Sequence, residues 1–280
     1  MKVGLTGASG FIGRHVVSEL GRKSISPVVV LRPSSDVPPH LSGFEIARLD
    51  INSPSEDAFD LMGRPDCLIH LAWGGLPHYK SAHHVDVELP AQYLFLSNLV
   101  KAGLGNLVAT GTCFEYGMVS GCLDEDMETK PDNPYGVAKD TLRRQLQGLQ
   151  KEDGFSLTWA RLFYLYGEGQ AENSLISQLK SAVENGDPVF NMSGGEQLRD
   201  YLPVETAAKR IVSLLETGRS HGVVNICSGE PISVRHMVER FLTENNDDIK
   251  LNLGYYPYPD FEPMEFWGDG RYFENIMDKK

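Results

Sequence analysis

Tyr135 and Lys139 stand four residues apart in a predicted helix, a spacing that places both side chains on one helical face. Asn133 can cap this helix, and Pro134 suits its first position. An ammonium group beside a phenol favours the phenolate, lowers its pKa from about 10, and makes it a usable acid or base. Thr112, just after a predicted strand, could hydrogen-bond the carbonyl oxygen that the tyrosine protonates. Tyr and Lys also occur at this spacing by chance on many helix surfaces, so the pair alone does not define a site.

A glycine-rich turn near residue 10 could hold a phosphate. Gly7, Gly10 and Gly13 recur at every third position between a predicted strand over residues 2–6 and a predicted helix over residues 12–20. The first glycine would permit a tight turn, the second a close approach to phosphate, and the third close packing of helix on sheet. The helix points its N-terminal N–H groups at the turn, which creates an anion site. The spacing differs from the commonest dinucleotide fingerprint, and many glycine-rich turns are only turns, so spacing alone leaves the interpretation open.

Composition limits the classes of protein and partner. The 280 residues are 41% hydrophobic and 23% charged, which is ample for a sizeable core in one large or two closely packed domains. No apolar run approaches the ~20 residues that span a bilayer, and residues 3–20 resemble strand, turn and helix rather than a signal peptide. Four scattered cysteines without a CxxC pair indicate a reducing compartment, so we predict a cytoplasmic protein without a metal site. The net charge of −12 argues against nucleic acid or an anionic membrane as a partner.

Predicted strands and helices alternate through the first 160 residues. Further apolar runs typical of strands cover residues 28–31, 45–49, 67–72, 107–110 and 156–160. Helical patterns cover residues 55–62, 81–102, 135–151, 174–185, 205–216 and 234–243. This order predicts an α/β fold with a Rossmann-type, doubly wound parallel sheet, whose ligands bind beyond the carboxyl ends of the strands. We divide the chain into a main domain (residues 1–162, with about 204–227 returning to it) and a smaller C-terminal lobe (163–203 and 228–280).

A series of motifs, in this order, resembles one enzyme family. The motifs are GASGFIG at 7–13, HLA at 70–72, TCFEYG at 112–117, NPYGVAK at 133–139, RDYLPVE at 199–205 and NICSGEPISV at 225–234. Together they resemble the extended short-chain dehydrogenase/reductases, in the nucleotide-sugar epimerase and reductase branch. The set is very specific for the family and much less specific for the reaction.

The resemblance implies a nicotinamide cofactor in the main domain and a nucleoside-diphospho-sugar in the C-terminal lobe. Tyr135 would be the general acid or base, Lys139 would hold the nicotinamide ribose and lower the tyrosine pKa, and Thr112 would bind the reacting sugar oxygen. The cofactor residues would be Gly7, Gly10, Phe11, Ile12, Gly13, Arg32, Asp50, Ile51, Leu71, Ala72 and Lys139. The substrate residues would be Thr112, Cys113, Tyr135, Asn173 and Arg199, with Arg199 clamping the diphosphate through its fork of donors.

The resemblance also implies a homodimer built from two helices of each subunit. In this chain those helices would be the predicted helices over residues 81–102 and 135–151. Leu94, Phe95 and Leu99 suit such an interface, but they would suit the core equally well.

The residue that ends the second strand distinguishes NADP from NAD in this fold. An acidic residue there binds the adenosine ribose of NAD, whereas an arginine pairs with the 2′-phosphate of NADP. The apolar run 28–31 ends in Arg32, so we predict NADP. The alternative is that Arg32 is only solvated and that Asp36 serves the ribose of NAD.

Two departures from the family patterns narrow the reaction. Dehydratases of this family carry an Asp-Glu pair directly after the catalytic threonine, where this chain has Cys113 and Phe114, so dehydration is excluded. Tyr164 stands where many epimerases have Asn.

Our first hypothesis is NADPH-dependent reduction of the 4-keto group of an NDP-4-keto-6-deoxyhexose, with Tyr135 as proton donor. The second is an NAD-dependent NDP-sugar 4-epimerase, and the third is a non-catalytic dinucleotide sensor, against which the presence of Tyr135 and Lys139 argues.

Overall fold

The computed structural model describes residues 1–260 and 262–279. Its strands are β1 (Val3–Thr6), β2 (Val28–Leu31), β3 (Glu45–Arg48), β4 (Cys67–His70), β5 (Asn106–Thr112), β6 (Gly121–Leu123), β7 (Ser156–Leu162), β8 (Tyr164–Tyr166), β9 (Val189–Asn191), β10 (Leu198–Pro203), β11 (Gly222–Ile226), β12 (Pro231–Ser233), β13 (Lys250–Asn252) and β14 (Phe266–Gly268). Its α-helices are α1 (Phe11–Arg22), α2 (Ala58–Leu61), α3 (Leu89–Lys101), α4 (Pro134–Asp153), α5 (Leu175–Glu184), α6 (Val204–Glu216), α7 (Val234–Asn245) and α8 (Arg271–Met277).

Seven strands form one parallel sheet in the order β11-β7-β5-β4-β1-β2-β3. Helices α1, α6 and α8 pack on one face, and α2, α3 and α4 pack on the other. Strands covered on both faces are apolar throughout, which is why residues such as those of β2 are all buried. The predicted α/β, Rossmann-type fold with a doubly wound sheet is therefore confirmed. The sheet brings the carboxyl ends of β1, β4 and β5 to one edge, where the predicted site residues follow.

The smaller lobe has its own sheets and core. Strands β12, β10 and β8 form one sheet, and β13 pairs with β9. Helices α5 and α7 cover the β9–β13 pair around a separate apolar cluster that includes Leu179, Phe190 and Leu242. A further parallel pair, β6 with β14, connects the end of the chain to the segment after β5. This arrangement holds β10, which carries Arg199, near the carboxyl end of the main sheet.

The C-terminal helix departs from the predicted division of the chain. We assigned residues 228–280 to the smaller lobe, but Phe273 and Ile276 of α8 are buried in the main core beside β11. A helix of seven residues with two buried side chains has too short an apolar pattern to reveal which sheet it covers. Within residues 1–260 and 262–279, no helix combines the length and apolar character that crossing a membrane requires.

The predicted helix over residues 81–102 is interrupted. A π-helical turn, His84–Glu88, precedes α3. Phe95 and Leu99 are fully buried in the core, while Leu94 is 48% exposed. Of the three apolar side chains that we considered for a dimer interface, only Leu94 therefore presents a large exposed surface.

Candidate active site

The glycine-rich turn joins β1 to α1 and forms one wall of a cleft. Gly7 has φ +73°, and a Cβ on it would lie 2.8 Å from the amide nitrogen of Ala72. A Cβ on Gly13 would lie 2.1 Å from the carbonyl oxygen of Gly7, so only glycine permits this packing of helix on turn. Gly10, the N-cap of α1, supplies no side chain to the first helical amides. A Cβ on Gly10 would meet only the Gly7 oxygen, at 3.3 Å, so the turn leaves open space beside uncapped amides, which fits a phosphate.

The cleft beside this turn has a volume of about 290 Å³ and lies at the carboxyl ends of β1, β2 and β4. Seven of the predicted cofactor residues line it, namely Gly7, Gly10, Arg32, Asp50, Ile51, Leu71 and Ala72. Phe11, Ile12, Gly13 and Lys139 are not among its lining residues. Trp73 and Glu88 also line it and were not predicted, because neither belongs to a motif with a recognised spacing. The position and polar lining of the cleft fit an extended dinucleotide.

The mouth of the cleft carries Arg32 but not Asp36. Arg32 is exposed and lines the cleft at the end of β2. Asp36 is exposed and is absent from the lining. Among the residues that the structure describes, no ion pair engages the Arg32 guanidinium. The guanidinium is therefore positioned to meet a ligand rather than committed to a protein carboxylate.

Tyr135 lies in the first turn of α4, inside a cluster of aromatic rings. The side chain of Asn133 caps the helix by accepting a hydrogen bond from the amide of Gly136 at 2.9 Å. The Tyr135 ring is 8% exposed and has its centroid 5.2 Å from that of His84, 5.5 Å from Tyr79 and 6.0 Å from Trp73. The cluster excludes water from the phenol and fixes its orientation.

The environment of Tyr135 raises the pKa of its phenol. Burial is the largest cause, and the nearby Tyr79 and Glu115 add to it, while the proximity of Thr112 acts in the opposite direction. The expectation that Lys139 lowers this pKa is wrong for this structure, because the ammonium is directed elsewhere. At neutral pH the tyrosine is therefore a protonated donor.

Lys139 lies on the same face of α4, and its ammonium is buried. Its Nζ donates a hydrogen bond to the carbonyl oxygen of Thr110 at 2.8 Å and lies 4.0 Å from the centroid of the Trp73 ring. Burial lowers the pKa of Lys139 to about 7, and the charge of Glu115 opposes this shift. The Trp73 face stabilises the cation electrostatically and joins it to the wall of the cleft.

Thr112 is held by a buried carboxylate that sequence reasoning did not assign to the site. Glu115, fully buried, accepts a hydrogen bond from the Thr112 amide at 2.8 Å. It also accepts from Trp159 Nε1 at 2.9 Å and pairs with Arg161 Nε at 2.9 Å. The spacing of Thr112 and Glu115, together with a following turn, is the sequence signature of a capping box and could have indicated this role.

The predicted substrate residues occupy different places. Cys113 is buried beside Thr112, and burial raises the pKa of its thiol. Arg199 is 2% exposed and forms an ion pair with Glu262, whose carboxylate is 2.8 Å from Nη2. Asn173 is exposed ahead of α5, and no contact among the described residues joins it to this cluster. Within the same described ranges, no group of His, Cys, Asp and Glu side chains could hold a metal ion.

The comparisons with known proteins identify the family. The model of the NAD dependent epimerase/dehydratase family matches residues 3–227. The chain belongs to this family. It is 31% identical over 270 residues to the dTDP-6-deoxy-L-talose 4-dehydrogenase (NAD(+)) of Aggregatibacter actinomycetemcomitans, covering 96% of this chain and 99% of that protein. It is 25% identical to the dTDP-4-dehydro-6-deoxyglucose reductase of Escherichia coli, covering 89% of this chain and 81% of that one.

A solved structure that contains a nucleotide sugar and NAD is similar to this protein along nearly the whole chain. MoeE5 in complex with UDP-glucuronic acid and NAD is 26% identical, with a TM-score of 0.84, over 99% of this chain and 93% of MoeE5. The extended short-chain dehydrogenase/reductase resemblance is therefore confirmed. This member of the epimerase/dehydratase family is an NAD(P)-dependent nucleotide-sugar oxidoreductase.

The geometry is compatible with the chemistry expected of Tyr135, Thr112 and Lys139. A bound nicotinamide cofactor supplies or accepts the hydride. Tyr135, protonated and desolvated, can donate a proton to an oxygen that gains negative charge, or accept one in the reverse direction after ionisation. Thr112 lies at the end of β5, two residues before Phe114, whose ring packs on Tyr135, so one substrate oxygen could contact both hydroxyls. Lys139 lies on the same helical face, with its ammonium bound to the carbonyl oxygen of Thr110.

Proposed function

We propose that this protein catalyses the NADPH-dependent reduction of the 4-keto group of an NDP-4-keto-6-deoxyhexose. The observation that carries the proposal is the buried phenol of Tyr135, whose ring packs 6.3 Å from that of Phe114, two residues after Thr112. In this reaction the C4 carbon gains a hydride, the C4 oxygen takes the phenolic proton of Tyr135, and Thr112 hydrogen-bonds that oxygen. The phenolate that remains must be reprotonated from solvent before the next turnover.

The residues after Thr112 support a reductase over a dehydratase. Elimination of water requires an acid and a base beside the sugar. Cys113 is a buried thiol whose pKa is raised by burial, and Phe114 has no ionisable group. The only nearby carboxylate of that segment, Glu115, is engaged by Arg161 and Trp159. One relative is named as the 4-dehydrogenase of dTDP-6-deoxy-L-talose and another as the reductase of dTDP-4-dehydro-6-deoxyglucose, so both names describe oxidoreduction of a dTDP-6-deoxyhexose, on two different sugars.

The choice between NADP and NAD is part of the proposal. Arg32 at the mouth of the cleft supports NADP, because a guanidinium pairs with the 2′-phosphate. The relative from Aggregatibacter actinomycetemcomitans is named for NAD(+). The two observations favour different cofactors, so the preference must be measured.

Arg32→Asp is expected to weaken NADPH binding by about tenfold or more and to shift the preference towards NADH, because a carboxylate repels the 2′-phosphate. Fluorescence titration of NADPH and NADH against both proteins measures this change. Asp36→Asn is the matched control and should leave the NADPH affinity unchanged, since Asp36 does not line the cleft. Tighter binding of NADH than NADPH by the unmodified protein would contradict the NADP assignment.

The proposed reaction is tested by incubating the protein with NADPH, or NADH, and a panel of NDP-4-keto-6-deoxysugars while following the loss of reduced-nicotinamide absorbance. We expect consumption of reduced cofactor in proportion to product. Release of stoichiometric NAD(H) on denaturation, without net consumption of added cofactor, would instead support the 4-epimerase. Cofactor binding without turnover of any sugar would support the non-catalytic sensor.

A further inference from the structure

Arg199 holds its guanidinium in place through contacts that do not involve Glu262. Its Nη1 donates hydrogen bonds to the carbonyl oxygens of Leu198, at 2.8 Å, and Met264, at 3.2 Å. The face of the guanidinium lies 4.7 Å from the centroid of the Phe266 ring. These contacts fix the orientation of the arginine and leave its Nε–Nη2 edge as the part directed at Glu262.

The Nε–Nη2 edge is occupied by only one oxygen of Glu262. Nη2 donates to Oε2 at 2.8 Å, and Nε donates to the same Oε2 at 3.2 Å. The strongest arginine–carboxylate pairs use two oxygens in parallel hydrogen bonds, so this pairing does not satisfy the fork fully. An uncompensated guanidinium that is 2% exposed would be costly, which gives Glu262 a clear role while the site holds no anion.

The pair lies next to the candidate reaction centre. The Phe266 ring beneath Arg199 belongs to the same buried cluster as Cys113, which follows Thr112. The hydroxyl of Tyr164 is buried beside the pair without a well-formed hydrogen bond. An anionic substrate that reaches Arg199 therefore meets the Glu262 carboxylate at the same edge, and two anions cannot share it without repulsion.

We propose that Glu262 is a counter-ion that Arg199 exchanges for the diphosphate of the substrate, so that this carboxylate sets the affinity of the site for nucleoside diphosphates. The inference rests on the proposed nucleotide-sugar function, in which Arg199 clamps the diphosphate. Glu262 belongs to no helix or strand, so its carboxylate can withdraw without disrupting one. A diphosphate offers the Nε–Nη2 edge two oxygens and more negative charge than one carboxylate.

The test measures binding of dTDP, and separately of UDP, to the full chain by calorimetry. Glu262→Gln should lower the Kd of at least one of these nucleotides by about tenfold, because the competing anion is removed. The control is Asp260→Asn, which removes the same charge from the same segment but at an exposed surface pair with Lys80. This control should change the Kd by less than about twofold, since exposed pairs are screened.

Two further variants make the result decisive. Glu262→Asp keeps the negative charge but shortens the side chain by one methylene, which moves the carboxylate away from Arg199. It should therefore lower the nucleotide Kd by a smaller factor than Glu262→Gln does. Combining Arg199→Gln with Glu262→Gln should abolish the gain. Unchanged or weaker nucleotide binding in Glu262→Gln, or a gain that survives the loss of Arg199, overturns the exchange. Because these are binding measurements, the exchange can stand even if 4-keto reduction is not observed, and the reverse also holds.

Discussion

Replacing Tyr135 with Phe is expected to lower kcat by about 10²-fold or more while cofactor binding is retained. The substitution removes one oxygen from a ring that stays packed among Trp73, Tyr79 and His84, so the aromatic cluster keeps its shape. The C4 oxygen then loses the proton donor that neutralises its developing charge. Thr112 remains to hydrogen-bond that oxygen, which accounts for residual activity.

This loss is measured by steady-state kinetics with the preferred nicotinamide cofactor and a 4-keto sugar that the unmodified protein reduces. Tyr272→Phe is the matched control, since it removes a hydroxyl that is bound to the carbonyl oxygen of His221, outside the site. The control should retain the kcat of the unmodified protein. If Tyr135→Phe turns over as fast as its control, the general-acid assignment is incorrect.

Replacing Glu115 with Ala is expected to lower the free energy of unfolding by about 3–5 kcal/mol, because it leaves a buried arginine without its counter-ion. Arg161 is 1% exposed and Glu115 is fully buried, so water cannot replace the lost carboxylate. The substitution also leaves the Thr112 amide and the Trp159 indole without their acceptor. Urea unfolding followed by intrinsic fluorescence measures the change.

Two comparisons separate charge from shape at this position. Glu115→Gln preserves the side-chain volume and one acceptor oxygen, so it should destabilise less than Glu115→Ala. Glu274→Ala removes an exposed carboxylate that pairs with the partly buried Arg210 and should change the stability by less than about 1 kcal/mol. Equal effects of Glu115→Ala and Glu274→Ala would show that the buried network does not stabilise the fold.

The stability of this network also bears on catalysis. Glu115 binds the amide of Thr112, the residue proposed to orient the substrate oxygen. A carboxylate therefore lies three residues after Thr112, but Trp159 and Arg161 occupy its oxygens, so it is not available as an acid or base. The same side chain thus explains both the rigidity of the strand end and the absence of dehydratase chemistry from our proposal.

Local patterns in the sequence were sufficient for the fold and for the main catalytic candidates. The glycine spacing from Gly7 to Gly13 indicates a specific backbone geometry, because a Cβ on Gly7 or on Gly13 would collide with neighbouring backbone atoms. The alternation of apolar strands and amphipathic helices in the sequence predicts a parallel sheet that helices cover on both faces. Tyr135 and Lys139 share a helical face, so their proximity follows from the helical repeat alone.

Contacts between distant segments were decided only by the tertiary structure. Glu115 meets Arg161 from 46 residues away, and Arg199 meets Glu262 from 63 residues away. The direction of the Lys139 ammonium, towards Thr110 and Trp73 rather than the phenol, also depends on how β5 and the segment after β4 pack against α4.

The sequence by itself determined the architecture, the glycine turn and the Tyr–Lys pair, because helical and strand periodicities are properties of neighbouring residues. The structure alone decided which charges are paired, which are buried and what shifts the pKa of Tyr135. Desolvation and ion pairing depend on every atom within a few ångströms, and most of those atoms belong to segments that are remote in the chain.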